Sequence, residues 1–387
     1  MSLHNEYSVA SYGYMISDGI RGPAYVAAMR DAIQPGSVVL DLGAGPGFFS
    51  VLACQMGARH VYAVEPNEAV RAGPALAREN GCADQITFLK ALSTEVTLPE
   101  PADVIVSDLR GALPFYRQHI PALVDARQRL LAPGGTLLPR RDTLWAAPVD
   151  APAVYRGVLS GWGGNDVGVS TEGIRRTMAN RYIRPSTDVT ADQVLADPAQ
   201  WGVLEYATLE ETDHQADLDW TVTRAGTCHG VVAWFEAFLA DGITYTTAPG
   251  PRQAVYGRAF FPWLRPVEVE AGDRVQVTLS ANLIGDAYVW RWASCVTSAE
   301  GTPKAEYRQS SLSGAVPAVE PQRRRAFDYR PQRSESGEVA LFCLTQMDAA
   351  RTVEQIAQGL ATRFPEQFPT EQAALEQASN LSARYGL

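Results

Sequence analysis

The sequence predicts an α/β protein in three parts: a parallel sheet wrapped by helices, an antiparallel β domain and a small helical module. Three observations predict it. Short apolar runs alternate with helical patterns over 36–147, as parallel strands joined by crossover helices do. From about 148 the strand-like segments are β-branched and aromatic. After 337, Thr352 and Thr370 stand as N-caps before helical stretches.

In order, residues 1–35 read as a helical lead-in. Val38-Val-Leu40 is an apolar strand ending at Asp41, followed by Gly43, Gly45 and Gly47 and a helix through Val51-Leu-Ala-Cys-Gln-Met56. His60-Val-Tyr-Ala-Val64 is a second strand, ending at Glu65, and Asp103-Val-Ile-Val-Ser107 a third. Pro133-Gly-Gly135 marks a turn before a strand at Thr136-Leu-Leu138. Residues 148–300 form a β-barrel-like domain, with strands expected at 221–224, 229–235, 267–269, 274–279 and 287–292. A polar, helix-prone insertion containing Trp162-Gly-Gly-Asn165 interrupts it over about 160–215. Residues 301–336 are rich in Pro, Ser, Gln and Arg and read as a linker, with a basic run at Pro321-Gln-Arg-Arg-Arg325. That run is a solvated segment or a patch for an acidic partner. Helices are expected at 338–347, 352–364 and 370–385.

A length of 387 residues suits two or three domains at roughly 100–200 residues each. The formal charge of −10 argues against a nucleic-acid-binding surface. Cys54, Cys82, Cys228, Cys295 and Cys343 are scattered, which fits a reducing cytoplasm and gives no metal framework. No apolar run reaches the ~18 residues that would span a membrane, and a signal-peptide pattern is absent.

The chemistry sits in the first β-loop-β unit. Glycines allow a tight turn and close approach of the backbone to a ligand. An acid at the end of the second strand can accept hydrogen bonds from ribose hydroxyls. Asp41, the loop and Glu65 in register therefore describe a Rossmann-like nucleoside site. The spacing Gly43-x-Gly45-x-Gly47 differs from the G-x-G-x-x-G of dinucleotide sites. It resembles motif I of class I S-adenosylmethionine (SAM) methyltransferases.

Over about the first 300 residues the chain resembles the protein arginine methyltransferase family. The ordered matches are Met15-x-x-Asp18-x-x-Arg21-x-x-x-Tyr25, Val39-Leu-Asp-Leu-Gly43, Val64-Glu65, Leu98-Pro-Glu100 with Asp103–Ser107, and Leu130-Leu-Ala-Pro-Gly-Gly135 with Leu138-Pro139. His229-Gly-Val-Val-Ala-Trp-Phe235 and Tyr245-Thr-Thr-Ala-Pro249 resemble pieces of the family's barrel. The resemblance implies SAM as donor and S-adenosylhomocysteine as product. It implies a donor site built from Met15, Arg21, Asp41, Gly43, Ala44, Gly45, Gly47, Glu65, Pro66, Ser93, Thr94 and Ser107, with Arg21 meeting the SAM carboxylate. It also implies a homodimer through an arm, for which 160–215 is the candidate. The C-terminal segment weakly resembles PqqD-like modules, which bind leader peptides, through Gly337–Phe342, Asp348–Ile356 and Leu381–Leu387. A helical tail packing on the barrel or on a partner is the competing reading.

The acceptor half departs from the family. In place of a Ser-Glu-Trp-Met-Gly loop and a second Glu, the chain has Ser107-Asp-Leu-Arg-Gly111 and Arg117. Asp108 takes the first Glu position and Arg117 the second; the histidine of the family's Thr-His-Trp loop falls at Val255. A guanidinium is held best by paired carboxylates. A like charge at ~4 Å costs on the order of 4 kcal/mol at an effective dielectric of 20. Asp108 and Arg117 are therefore the candidate catalytic pair, with a structural ion pair between them as the competing reading. Tyr12, Tyr14, Tyr116 and His119 are candidates to shape the pocket, or are packing residues. The sequence supports a methyltransferase acting on a peptide, protein or small molecule. The alternatives are a true arginine N-methyltransferase with a second acid from Glu205, Glu210 or Glu211, and a non-catalytic peptide-binding protein.

Overall fold

The computed structural model describes residues 9–159, 162, 168–185, 188–250, 254–314 and 330–386. The chain divides into two compact units, Met1–Val316 and Pro317–Leu387. Most of Trp162–Asn165 and all of Pro321–Arg325 lie outside the described residues, as do Met1–Ser8 and Leu387.

The first unit opens with helices α1 (Val9–Ile16) and α2 (Arg21–Ala32). Helix α2 buries Tyr25, Ala28 and Met29, spaced to fall on one face. A five-stranded parallel sheet follows: β1 (Val38–Leu42), α3 (Phe48–Gln55), β2 (His60–Val64), α4 (Gly73–Glu79), β3 (Ile86–Leu89), β4 (Ala102–Ser107), α5 (His119–Arg129) and β5 (Leu131–Leu138). All five residues of β1 are buried, as expected for a strand covered on both faces. Strand order is β3-β2-β1-β4-β5. The order reverses between β1 and β4, and a crevice opens there at the carboxyl ends of the strands. Register places Asp41 beside Ala63 of β2 and Val106 of β4, and Leu42 beside Ser107. The glycine loop, Glu65 and Asp108 thus emerge together at that crevice.

The rest of the first unit comprises β6 (Arg141–Val149), α6 (Pro152–Leu159), α7 (Glu172–Ala179), β7 (Ala199–Glu205), β8 (His214–Thr221), β9 (Gly226–Ala240), β10 (Ile243–Thr246), β11 (Ala259–Val269), β12 (Arg274–Ile284), β13 (Ala287–Thr297) and β14 (Pro303–Ser310). One antiparallel sheet runs β10-β9-β6-β7 with β11 also on β9; the other runs β14-β13-β12-β8. Aromatic side chains join them: the Phe261 ring lies 5.2 Å from Trp290 and 5.5 Å from Trp292, and the Trp292 indole donates to the Pro262 carbonyl at 3.2 Å. Fully burying one such ring stabilises by about 1.5–3 kcal/mol.

In the second unit, three helices, α8 (Glu335–Gln346), α9 (Val353–Arg363) and α10 (Glu371–Tyr385), bury Val339, Cys343, Ile356, Leu360, Ala374 and Ala378. Thr352 and Thr370 accept from the Gln355 and Ala373 amides at 3.2 Å, so both are N-caps.

Several expectations are corrected. Among the described residues the segment 160–215 is helical at α7 and at a single 3-10 turn, Ala191–Gln193; its end is β7, paired with β6, and the start of β8. Trp201 and Leu204 of β7 are buried, so the strand completes a sheet. Residues 303–310 of the expected linker are edge strand β14, paired with β13. Its Lys304, Glu306 and Arg308 face solvent while the residues between are covered, and charged edge residues hid that alternation. Residues 222–224 lie beyond β8. The Pro133–Gly135 turn is an irregularity inside β5, where Leu131 and Thr136 pair with Ala102 and Val104. Cys54 and Cys82, whose scatter suggested reduced thiols, form a disulfide with Cα atoms 6.2 Å apart; the crossover from α3 to α4 brings them together.

Gly230 has φ +149° opposite Pro262, and a Cβ there would land on the Phe261 carbonyl. Gly230→Ala should destabilise the first unit by on the order of 3 kcal/mol, measured by urea denaturation followed through tryptophan fluorescence.

Candidate active site

The glycine-loop side of the crevice, where the donor is expected, is built mainly from backbone. Gly43, Gly45 and Gly47 have φ of 80°, 54° and 87°, the left-handed region that favours glycine. A Cβ on Gly43 would land on Leu109, and one on Gly47 would lie 2.6 Å from the Phe88 ring. The Glu65 carboxylate accepts from the Gly45 amide at 2.9 Å and the Asn67 amide at 2.8 Å. Its pKa is raised because burial outweighs these bonds and a hydrogen bond from Tyr12. Tyr12 also covers Gly45, where a Cβ would lie 2.5 Å from its ring. Asp41 is fully buried and accepts from the Ser50 hydroxyl at 2.6 Å. Burial pushes its pKa up to about 7, with Ser50 opposing and Glu65 adding to the rise.

Arg21 enters from the start of α2. Its Nη1 donates to the Met15 carbonyl at 2.8 Å, and its Nε is ion-paired with Asp108. Asp18 orders this approach: one oxygen accepts from the Ile20 and Arg21 amides, the other from the Val255 amide at 2.6 Å. Ala44, Ser93 and Ser107 are buried, whereas Pro66 and Thr94 are exposed. The Ser107 hydroxyl is buried without a hydrogen-bond partner, and its carbonyl accepts from Tyr25 at 2.8 Å.

Around Asp108, where the acceptor site is expected, lies a buried ion network centred on a residue the sequence reading passed over. Arg110 sits where the family has methionine. Its Nε and Nη2 grip Asp142 of β6 at 2.7 and 2.8 Å. Its Nη1 donates to Asp108 at 2.9 Å, to the Tyr25 hydroxyl at 2.7 Å and to the Tyr245 hydroxyl at 3.3 Å. The guanidinium also lies 5.3 Å from the Phe235 ring. Tyr206 donates to Asp142 at 2.6 Å. Burial opposes the Arg110 charge, but Asp142 and the rest of the network hold its pKa well above the usual value. Burial would raise the pKa of Asp108; Arg21 and Arg110 outweigh it and hold the carboxyl below its usual range.

The expected Asp108–Arg117 pair is therefore absent: the partners of Asp108 are Arg21 and Arg110. Arg117 is half-buried, with φ 46°, and its guanidinium lies 5.4 Å over the Tyr116 ring. His119 is buried, 3.1 Å from the Tyr206 hydroxyl, and burial followed by Arg110 lowers its pKa to about 3. Tyr14 is largely exposed. The second acid of the network is Asp142, whereas Glu205 pairs with Arg141 at 3.3 Å and Glu210 with Arg127. Tyr256 donates to the Asp108 carbonyl at 3.0 Å. Asp142 and Tyr206 carry no local motif, and Tyr245 opens a barrel motif that gives no hint of this contact, so only the placement of β6 to β10 against the loop after β4 reveals all three. An arginine after Asp-Leu in a position the family fills with methionine was the available signal for Arg110. Among the described residues no group of three His, Cys, Asp or Glu is placed to hold a metal, and no helix is long and apolar enough to cross a membrane.

This combination of folds and crevice defines a class I methyltransferase domain joined to an antiparallel β domain. Two family models match in sequence order: Ribosomal protein L11 methyltransferase (PrmA) over residues 25–138, and the Arginine methyltransferase oligomerization subdomain over 140–284. Neither reaches the C-terminal helices. Protein arginine N-methyltransferase 6 of Danio rerio is 31% identical over 281 residues, covering 69% of this chain and 80% of that protein. Probable histone-arginine methyltransferase CARM1 of Oryza sativa subsp. indica is 32% identical over 276 residues, 67% of this chain and 52% of that protein. The chain thus spans about half the length of the latter. Among solved structures, protein arginine methyltransferase 10 of Arabidopsis thaliana aligns with a TM-score of 0.69 at 23% identity, covering 79% of this chain and 97% of that one. The Trypanosoma brucei PRMT1 enzyme-prozyme complex with AdoHcy aligns with a TM-score of 0.70 at 19% identity, covering 79% and 98%. The chain belongs to the protein arginine methyltransferase family.

Removing one partner of a buried pair strands the other charge, at a cost of about 3–5 kcal/mol. Arg110→Met should therefore destabilise the protein by about that much, and adding Asp142→Leu should recover most of it, as read by urea denaturation. Asp41 carries a pH signature. The folded state keeps its proton up to about pH 7, whereas the unfolded chain releases it near 3.8. Its contribution is thus complete below pH 4 and is lost as pH rises through 7. Asp41→Asn, measured without ligand, should gain stability over wild type at pH 8 and lose that advantage by pH 4.

Proposed function

We propose that this chain is a SAM-dependent methyltransferase that keeps the family's donor site and does not take a free guanidinium as acceptor. The residues fit the donor. Gly43 and Gly45 hold the left-handed turn that a ligand can approach through backbone, and Glu65 has lone pairs beyond its two amide bonds for ribose hydroxyls. Arg21 uses Nε and one Nη1 hydrogen on Asp108 and Met15, and its other N–H groups are suited to the methionine carboxylate of SAM. Bound there, SAM supplies an electrophilic methyl on a sulfonium. The protein's share is placement of the acceptor in line with that methyl.

One observation carries the acceptor reading. The two acids that would hold a substrate guanidinium, Asp108 and Asp142, already hold Arg110. A second guanidinium would need to displace a buried charge gripped through all its donor groups. The acceptor is then another group on a peptide, protein or small molecule. The names of the relatives support the competing reading, arginine methylation, in which Asp108 and Asp142 serve once Arg110 moves. The match to the oligomerization subdomain supports a homodimer.

Titration calorimetry with S-adenosylhomocysteine tests the donor site. Binding is expected, and Asp41→Ala and Glu65→Ala should each weaken it about tenfold to a hundredfold, the worth of hydrogen bonds to a charged group. A wild-type protein that gives no binding would sink the reading. Transfer of labelled methyl to arginine-rich peptides, abolished by Asp108→Ala, would restore the arginine alternative.

A further inference from the structure

The geometry points to a carboxylate as the acceptor, methylated on oxygen and received by the Arg117 guanidinium; this rests on the methyltransferase reading above. The first argument is charge. Asp108 and Asp142 face Arg21 and Arg110, so each carboxylate of the network is already paired. Arg117 adds a third guanidinium in the loop between β4 and α5, with no carboxylate in ion-pair range among the described residues. The Tyr116 ring beneath it packs on Gly111, where a Cβ would lie 2.7 Å away. Arg117 is thus carried by the same loop that presents Asp108 and Arg110. Its φ of 46° is a left-handed conformation that large side chains rarely adopt and that gathers at functional sites. A half-buried planar fork without an acid partner suits a carboxylate, which it can bind through two parallel hydrogen bonds.

The second argument is the proton. An amine, hydroxyl or guanidinium must lose a proton when it is methylated, and a base must take it. Asp108, held by two guanidiniums, is a weak base. His119 is buried against Tyr206. A carboxylate arrives without a proton to lose. Its oxygen donates a lone pair to the methyl carbon; the O–C bond forms as the S–C bond breaks, and that bonding pair stays on sulfur. Sulfonium and carboxylate charges cancel, leaving a neutral ester and a neutral thioether with no proton released.

The carboxylate can belong to a peptide or to a small organic acid, and two arms separate these sources. The full chain is incubated with methyl-tritiated SAM and either synthetic peptides bearing Asp, Glu and free C-termini, or a mixture of free amino acids with succinate and glutarate. Controls are the same peptides with Asn, Gln and amidated ends, and arginine-rich peptides. Mild alkali releases ester label as methanol and leaves N-methyl label in place. The expected result is alkali-labile label in one carboxylate arm, at least tenfold above its control. Arg117→Gln should lower kcat/KM at least tenfold, chiefly through KM, while Arg117→Lys retains part of the activity. Both variants should keep the wild-type affinity for S-adenosylhomocysteine and the wild-type melting temperature. Alkali-stable label on arginine peptides, or no label in either arm from a protein that binds S-adenosylhomocysteine, overturns the proposal. An unchanged KM in Arg117→Gln overturns the role of Arg117. A protein that does not bind S-adenosylhomocysteine fails the methyltransferase reading instead.

Discussion

The buried Arg110 guanidinium is the interaction on which the rest of this structure depends. It leaves the end of β4 in the parallel sheet and is gripped by Asp142 of β6, with Tyr245 and Phe235 of β10 and β9 around it. One side chain therefore pins the antiparallel domain to the crevice. Taking a guanidinium out of water costs several kcal/mol, and only near-complete pairing offsets that. Here the pairing is near complete, and it ties the loop that presents Asp108 to β6. The packing of the two sheets and the position of Asp108 are held by the same bonds.

The glycine-loop side of the crevice and the ion network beside it are built from different materials. On the loop side, three left-handed glycines and the ends of parallel strands do the shaping, and side chains add little beyond Asp41, Glu65, Tyr12 and Arg21. In the network, side chains from α2, the loop after β4, β6, the end of β7, β9 and β10 meet in a buried cluster. The two sides share Arg21, which reaches from the donor crevice to Asp108. That bond ties the two together, while Arg110 holds the other oxygen of Asp108.

Much of this was legible in the sequence because it is local. The glycine loop, the acid after the second strand and the caps Thr352 and Thr370 are set by backbone preferences within a few residues. Two elements were misread for one reason. Strands β7 and β14 lie at sheet edges, and their polar, charged faces resemble an insertion and a linker until a neighbouring strand supplies the covered face. The Cys54–Cys82 bond escaped notice because the cysteines are 28 residues apart, with β2 and α4 between them.

The sequence by itself determined the fold class, the crevice and the substitution of the family's two glutamates by Asp108 and Arg117, since each follows from residue type at a given spacing. Which charges actually meet was decided only by the tertiary structure. Asp108 pairs with Arg21 and Arg110, Arg110 reaches Asp142, and Arg117 turns onto Tyr116. An ion pair between residues far apart in the chain leaves no periodic trace, because its geometry exists only after two sheets have packed.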